Sequence, residues 1–160
     1  MTTLAWLLFL ALLAWLFAGY EESQYNPNQQ ISTANSAAGV QEITLQRNRF
    51  GHYVATGAIN GHPVTFLLDT GATDISVPDQ LAKRLRLKRG ISQRYNTANG
   101  QITAYLTRLN SVSLGDIELR DVRASINPAV EGDEILLGMS FLKDLEFTQR
   151  GDTLTIRQYR

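Results

Sequence analysis

Apolar residues fill the first twenty positions with no period. MTTLAWLLFLALLAWLFAGY carries no charged side chain and would be apolar on every face of a helix. At about 1.5 Å rise per residue, twenty helical residues cover roughly 30 Å, the thickness of a bilayer core. Trp15 and Tyr20 lie near one end, where aromatic rings favour the interface. A cleaved signal peptide has a basic start and small residues before the cut. Here the first basic residue is Arg47, and Leu16 before Ala18 makes a poor cleavage site. Residues 1–20 are therefore expected to be a retained transmembrane anchor. A short N-terminal tail stays most easily in the cytoplasm, which sends the rest of the chain outside.

The texture then changes twice. Residues 21–41, EESQYNPNQQISTANSAAGVQ, are polar and aperiodic and read as a flexible linker. A random coil of that length spans roughly 25 Å. From Glu42 onward, short β-like runs alternate with turn signals, so 42–160 reads as one domain. Asn60-Gly61 between ITLQRNRFGHYVATGAI and PVTFLL is a strong hairpin signal. Pro78 and the leucines of DQLAKRLRLKRG predict a short helix stopped at Gly90. Asn99-Gly100 and Gly115-Asp116 predict two further hairpins. EILLGMSFLKDLEF reads as a buried strand, a Gly and a short helix, and DTLTIRQ as a last strand. The fold class is all-β with two short helices after one transmembrane helix.

Composition removes several chemistries. Lys+Arg and Asp+Glu balance at 15 each, so no field of one sign points to nucleic acid. With no Cys, disulfides, thiolate metal sites and a cysteine nucleophile are excluded. His52 and His62 are the only imidazoles, so no metal and no cofactor is expected. Ser76 and Ser92 lack a His or Lys arrangement for hydrolase chemistry. The basic run Lys83, Arg84, Arg86, Lys88 and Arg89 reads as a solvated helix face.

One stretch raises a chemical question. FLLDTGATDISVP drives an apolar run into Asp69, then Thr70 and Gly71, then turns apolar again. A carboxylate at the end of a buried strand is costly unless partnered or functional. Gly allows backbone N–H groups to approach it, and Thr offers a hydroxyl to tie loops together.

Phe66 to Thr73 resembles the active-site segment of aspartic proteases, with Ala72 closest to the single-domain, retropepsin-like, bacterial membrane-anchored type. Leu136, Leu137 and Gly138, before Met139 to Leu145, resemble that fold's second signature. The Asn99-Gly100 hairpin lies where the family carries its flap. The resemblance implies a retropepsin-like closed β-barrel or sandwich and an endopeptidase that needs no cofactor. It implies Asp69 as catalytic residue and Thr70, Gly71 and Ala72 as supports of the loop. Thr73, Asp74, Thr97, Ala98, Asn99 and Gly100 would meet substrate or form the flap. With one Asp-Thr-Gly in the chain, the second carboxylate would come from another copy, making a homodimer with protein or peptide as substrate. The location implied is a single-pass inner-membrane protein with a periplasmic or extracytoplasmic domain. Thr73 and Met139 depart from the viral pattern, which has an acid and an Arg there, so dimer cohesion must differ. Ala72 offers no hydroxyl to the carboxylate, which implies activity at mildly acidic to near-neutral pH. A non-catalytic peptide-binding or dimerisation module of the same fold is the alternative.

Overall fold

The computed structural model of the chain describes residues 2–35, 39–97 and 100–159. Helix α1 (Thr2–Tyr25) runs five residues beyond the apolar stretch, taking in Glu21 and Glu22. Leu4, Trp6, Phe9, Trp15 and Phe17 are all exposed, so among the described residues no apolar face of α1 packs on the rest of the chain. It is one helix long and apolar enough to cross a membrane.

Residues 26–35 depart from the linker that composition suggests. Asn26 and Asn28 are buried, and Asn28 bridges to Ala55. Strand β1 (Thr33–Asn35) then pairs antiparallel with β2 (Val40–Gln46).

Two sheets form the domain. The smaller has the order β1-β2-β11-β10, with β10 (Glu146–Arg150) and β11 (Thr153–Tyr159) closing it. The larger is built from β3 (Val54–Ile59), β4 (His62–Leu68), β5 (Ile75–Pro78), β6 (Ser92–Thr97), β7 (Gly100–Leu114), β8 (Ile117–Asn127) and β9 (Glu134–Leu137). Its order is β3-β4-β9-β5-β8-β7-β6, and β3 also pairs with β7. That extra pairing closes a ring and leaves β6 outside it as the free strand of the β6–β7 hairpin. Closure needs a close approach at Gly57, where a Cβ would sit 2.3 Å from the Ser113 carbonyl oxygen.

Alternation along these strands fills the barrel: Phe66, Ile75, Leu109, Ile126, Ile135 and Leu137 are essentially inaccessible. Helix α2 (Asp79–Arg84) is shorter than the leucine pattern predicts, because Arg86 turns to φ 54° and ends it well before Gly90. Helix α3 (Met139–Leu142) follows Gly138 and buries Phe141 and Leu142. At the centre β4 runs parallel to β9 and β5 parallel to β8, while β5 meets β9 at Ser76 and Leu136. The loop from β4 to β5 is therefore gripped on both sides.

Candidate active site

That loop is residues 69–74. The Asp69 N–H donates to the Leu137 carbonyl (3.2 Å), and the Ala72 N–H donates back to the Asp69 carbonyl (3.2 Å). The Gly71 N–H donates to Asp69 Oδ1 at 2.8 Å, which aims the carboxylate along the loop. From the other side, the N–H groups of Met139 and Ser140 donate to the carbonyls of Ala72 (2.8 Å) and Thr73 (2.9 Å). Ser140 Oγ accepts the Ile75 N–H at 3.0 Å. Gly138 makes this packing possible: a Cβ there would lie 2.3 Å from the Asp74 carbonyl oxygen and 2.6 Å from that of Ala72. The second apolar-Gly signature thus acts as a backbone seat for the Asp69 loop.

Asp69, Gly71, Ala72, Thr73 and Asp74 open on a cavity of about 330 Å³. Its far wall is the β6–β7 hairpin, through Tyr95, Asn96, Thr97 and Ile102. Ser76, Ser125, Asn127 and Leu136 complete the lining. Thr97 Oγ1 donates to the Gly100 carbonyl (2.8 Å) at the hairpin end; Ala98 and Asn99 lie outside the described residues. Thr70 is exposed beside the cavity, while Leu137 points into the core rather than the cleft. A groove of about 640 Å³ lined by Arg86, Lys88, Arg89, Arg108 and Arg123 is larger, but among the described residues no carboxylate lines it. Two further grooves, of about 560 and 480 Å³, are also larger and do carry carboxylates (Asp121 and Asp144; Glu22, Asp133 and Glu134), so it is the Asp-Thr-Gly loop seated on Gly138, not size or a carboxylate alone, that picks out the Asp69 cleft.

Asp74 is deeply buried, its side chain only 1% exposed. Tyr95 OH donates to Oδ2 (2.8 Å) and Arg123 Nε donates to Oδ1 (2.7 Å). Burial, then the Asp74 bond, pushes the Tyr95 phenol up to about 12. The same carboxylate, by hydrogen bond and by charge, raises the Arg123 guanidinium. Asp74 therefore ties the β6 strand of the hairpin, through Tyr95, and β8, through Arg123, to the 69–74 loop. Sequence reading missed Tyr95, Arg123, Ser125 and Asn127; each sits in an alternating strand whose pattern says only which face it occupies.

A model of the family described as "gag-polyprotein putative aspartyl protease" matches residues 55–144. The "Uncharacterized protein in cobV 5'region" of Sinorhizobium sp is 35% identical over 123 residues, 74% of this chain and 53% of that protein. "Uncharacterized protein RP867" of Rickettsia prowazekii (strain Madrid E) is 32% identical over 123 residues, 75% of this chain and 52% of that protein. The chain thus spans about half the length of these two relatives. The crystal structure of a retropepsin-like aspartic protease from Rickettsia conorii superposes with a TM-score of 0.63 at 31% identity, covering 81% of this chain and 96% of that one. Together with the loop and barrel described above, these likenesses establish that the chain belongs to the retropepsin-like aspartic protease family.

Proposed function

We propose that the chain is a membrane-anchored aspartic endopeptidase that works as a homodimer, each copy contributing Asp69 to one shared site. One observation carries the reading. Of the two carboxylates lining the cleft, Asp74 is buried and engaged by Tyr95 and Arg123, which leaves Asp69 alone at the mouth. One chain offers one carboxylate where peptide hydrolysis of this kind uses two sharing a proton. Like charges about 3 Å apart cannot both ionise, so one acts as base and the other as acid.

A water held between Asp69 and the Asp69 of a second copy loses a proton to the ionised carboxylate and attacks the peptide carbonyl. The protonated carboxyl donates toward the carbonyl oxygen, and the proton then passes to the leaving amine. Thr70, exposed next to Asp69, meets its counterpart across the axis. The β6–β7 hairpin folds over an extended polypeptide and excludes water. Two anchors in one bilayer raise the effective concentration of the domains, which offsets the missing Arg at Met139. They also require the two-fold axis to stand along the membrane normal; the short N-terminal tail favours the domain on the extracytoplasmic side.

Full-length protein in liposomes tests the reading with unfolded polypeptide as substrate. Asp69→Asn lowers the rate by at least about a thousandfold with unchanged thermal unfolding. Cleavage by this variant at the wild-type rate overturns the proposal. A wild type that grips extended peptide but never cuts it would make the chain a binding module of the same fold.

A further inference from the structure

The junction between α1 and the barrel is a clamp of asparagine side chains. Asn26 and Asn28 are 6% and 5% exposed. The Asn28 amide donates to the carbonyls of Gln46 (2.9 Å) and Val54 (2.7 Å), and its oxygen accepts the Gln46 N–H (2.7 Å). The Thr56 N–H donates to the Asn28 carbonyl (3.1 Å), while Asn26 Nδ2 donates to Thr56 Oγ1 (2.9 Å). The helix's own hydrogen-bond ladder continues into this clamp, from the Asn26 N–H to the Glu22 carbonyl (2.9 Å). The last helical residue is held as well: Asn48 Nδ2 donates to the Tyr25 carbonyl (2.9 Å), and Tyr25 OH donates to Glu134. A buried amide is tolerated only where its bonds are made, and here both ends of the Asn28 amide are satisfied by the barrel.

We infer that α1 and the protease domain form one rigid strut, so that the active site works at a fixed height above the bilayer and its substrates are membrane-bound polypeptides. This rests on the membrane-anchored protease reading above. The height follows from the register. Asn28 pairs at Ala55, whose partner on β4 is Phe66, three residues before Asp69. Three strand steps of about 3.3 Å and two strand spacings of about 4.8 Å put Asp69 roughly 15 Å from Asn28. Three extended residues from Tyr25 add at most about 10 Å, and five helical residues beyond Tyr20 about 8 Å. Asp69 thus stands within about 33 Å of the lipid boundary, a span covered by about ten extended residues. A free 21-residue tether would instead reach about 70 Å at full extension.

Two measurements on the full chain in liposomes test this. The chain has no Cys, so Asp116→Cys at an exposed hairpin turn gives a single labelling site. Energy transfer from that label to acceptor lipids gives a narrow distance distribution in this protein. A ten-residue Gly-Ser insert between Tyr25 and Asn26, combined with Asn48→Ala to release the Tyr25 carbonyl, keeps the Asn26 and Asn28 side-chain bonds to the barrel but parts them from the helix, and broadens it. Equal breadth in both overturns the strut, whether or not the protein cuts anything. The second measurement uses single-span reporters carrying one segment that the detergent-solubilised full chain cleaves, placed about 5 or about 25 residues from the membrane. The far reporter is cut at least tenfold faster, because five extended residues reach only about 17 Å while the site is held at up to about 33 Å, and the Gly-Ser insert, which lets the site dip toward the bilayer, closes that gap. Equal rates without the insert overturn the substrate assignment, while failure to find any cleaved segment in detergent refutes the protease reading instead.

Discussion

Replacing Gly138 by Ala separates the seat of the 69–74 loop from the carboxylate it carries. Gly138 has φ −87° and ψ −172°, extended backbone that Ala adopts without strain, so any cost is steric. The new Cβ would stand 2.3 Å from the Asp74 carbonyl oxygen and 2.6 Å from that of Ala72, against 3.4 Å for ordinary contact. Both obstacles are backbone, so the 69–74 loop must shift by roughly 1 Å. Overpacking of this size costs about 1–3 kcal/mol, or on the order of 2–12 °C in thermal midpoint for a chain this large. A 1 Å misplacement of a reacting group costs about a hundredfold in rate. Gly71→Ala is the contrast, because its Cβ would meet only Asp69 Oδ1, at 3.1 Å. It should lower activity with little change in midpoint. The assays are polypeptide cleavage and thermal unfolding of full-length protein in detergent. Gly138→Ala with wild-type rate and midpoint would refute the reasoning that this contact seats the loop.

Arg123→Leu removes one of two donors to the buried Asp74 carboxylate; urea unfolding should report a loss of about 1.5–3 kcal/mol, and an unchanged midpoint would count against the network. Tyr159→Phe tests a pH linkage: the Glu146 carboxyl is held below its ordinary value chiefly by the Tyr159 hydroxyl, then by Arg157. A lowered folded value means stability that is present above the ordinary carboxylate range and lost as pH falls through the folded value. Wild type and Tyr159→Phe should therefore differ in urea midpoint at pH 7 and converge in strong acid. Ala72→Ser supplies a hydroxyl beside Asp69 that favours the charged carboxylate, so the acid limb of the pH–rate profile should move to lower pH; a shift to higher pH would oppose this.

Local chemistry made part of the fold legible. At Asn60-Gly61 both residues take positive φ, 50° and 78°, as a two-residue hairpin demands. Gly115, at φ 59°, turns β7 into β8 where the sequence suggests. Asp69 and Gly138 were readable because a carboxylate and a Gly after apolar runs conflict with plain packing. Long-range partnership was not readable. β2 pairs with β11, more than a hundred residues away, and not with the β3 segment that follows it in the same apolar pattern. Asp74 and Arg123 meet only because β5 and β8 run side by side. The stretch after α1 misled most, since Asn-rich composition looks unstructured until the barrel supplies the groups those amides bind. Cutting the chain at Glu42 would remove Asn28 from Gln46 and Val54, so functional tests belong on the full chain.

Mixing chains tests the shared site most directly. Wild type and Asp69→Asn are co-reconstituted in equal amounts at densities where the domains are fully paired, and the rate per total chain is measured against wild type alone. Paired Asp69 catalysis predicts about one quarter of the wild-type rate, because only one random pair in four holds two intact carboxylates. A rate of one half would mean that each chain works alone, and would contradict it.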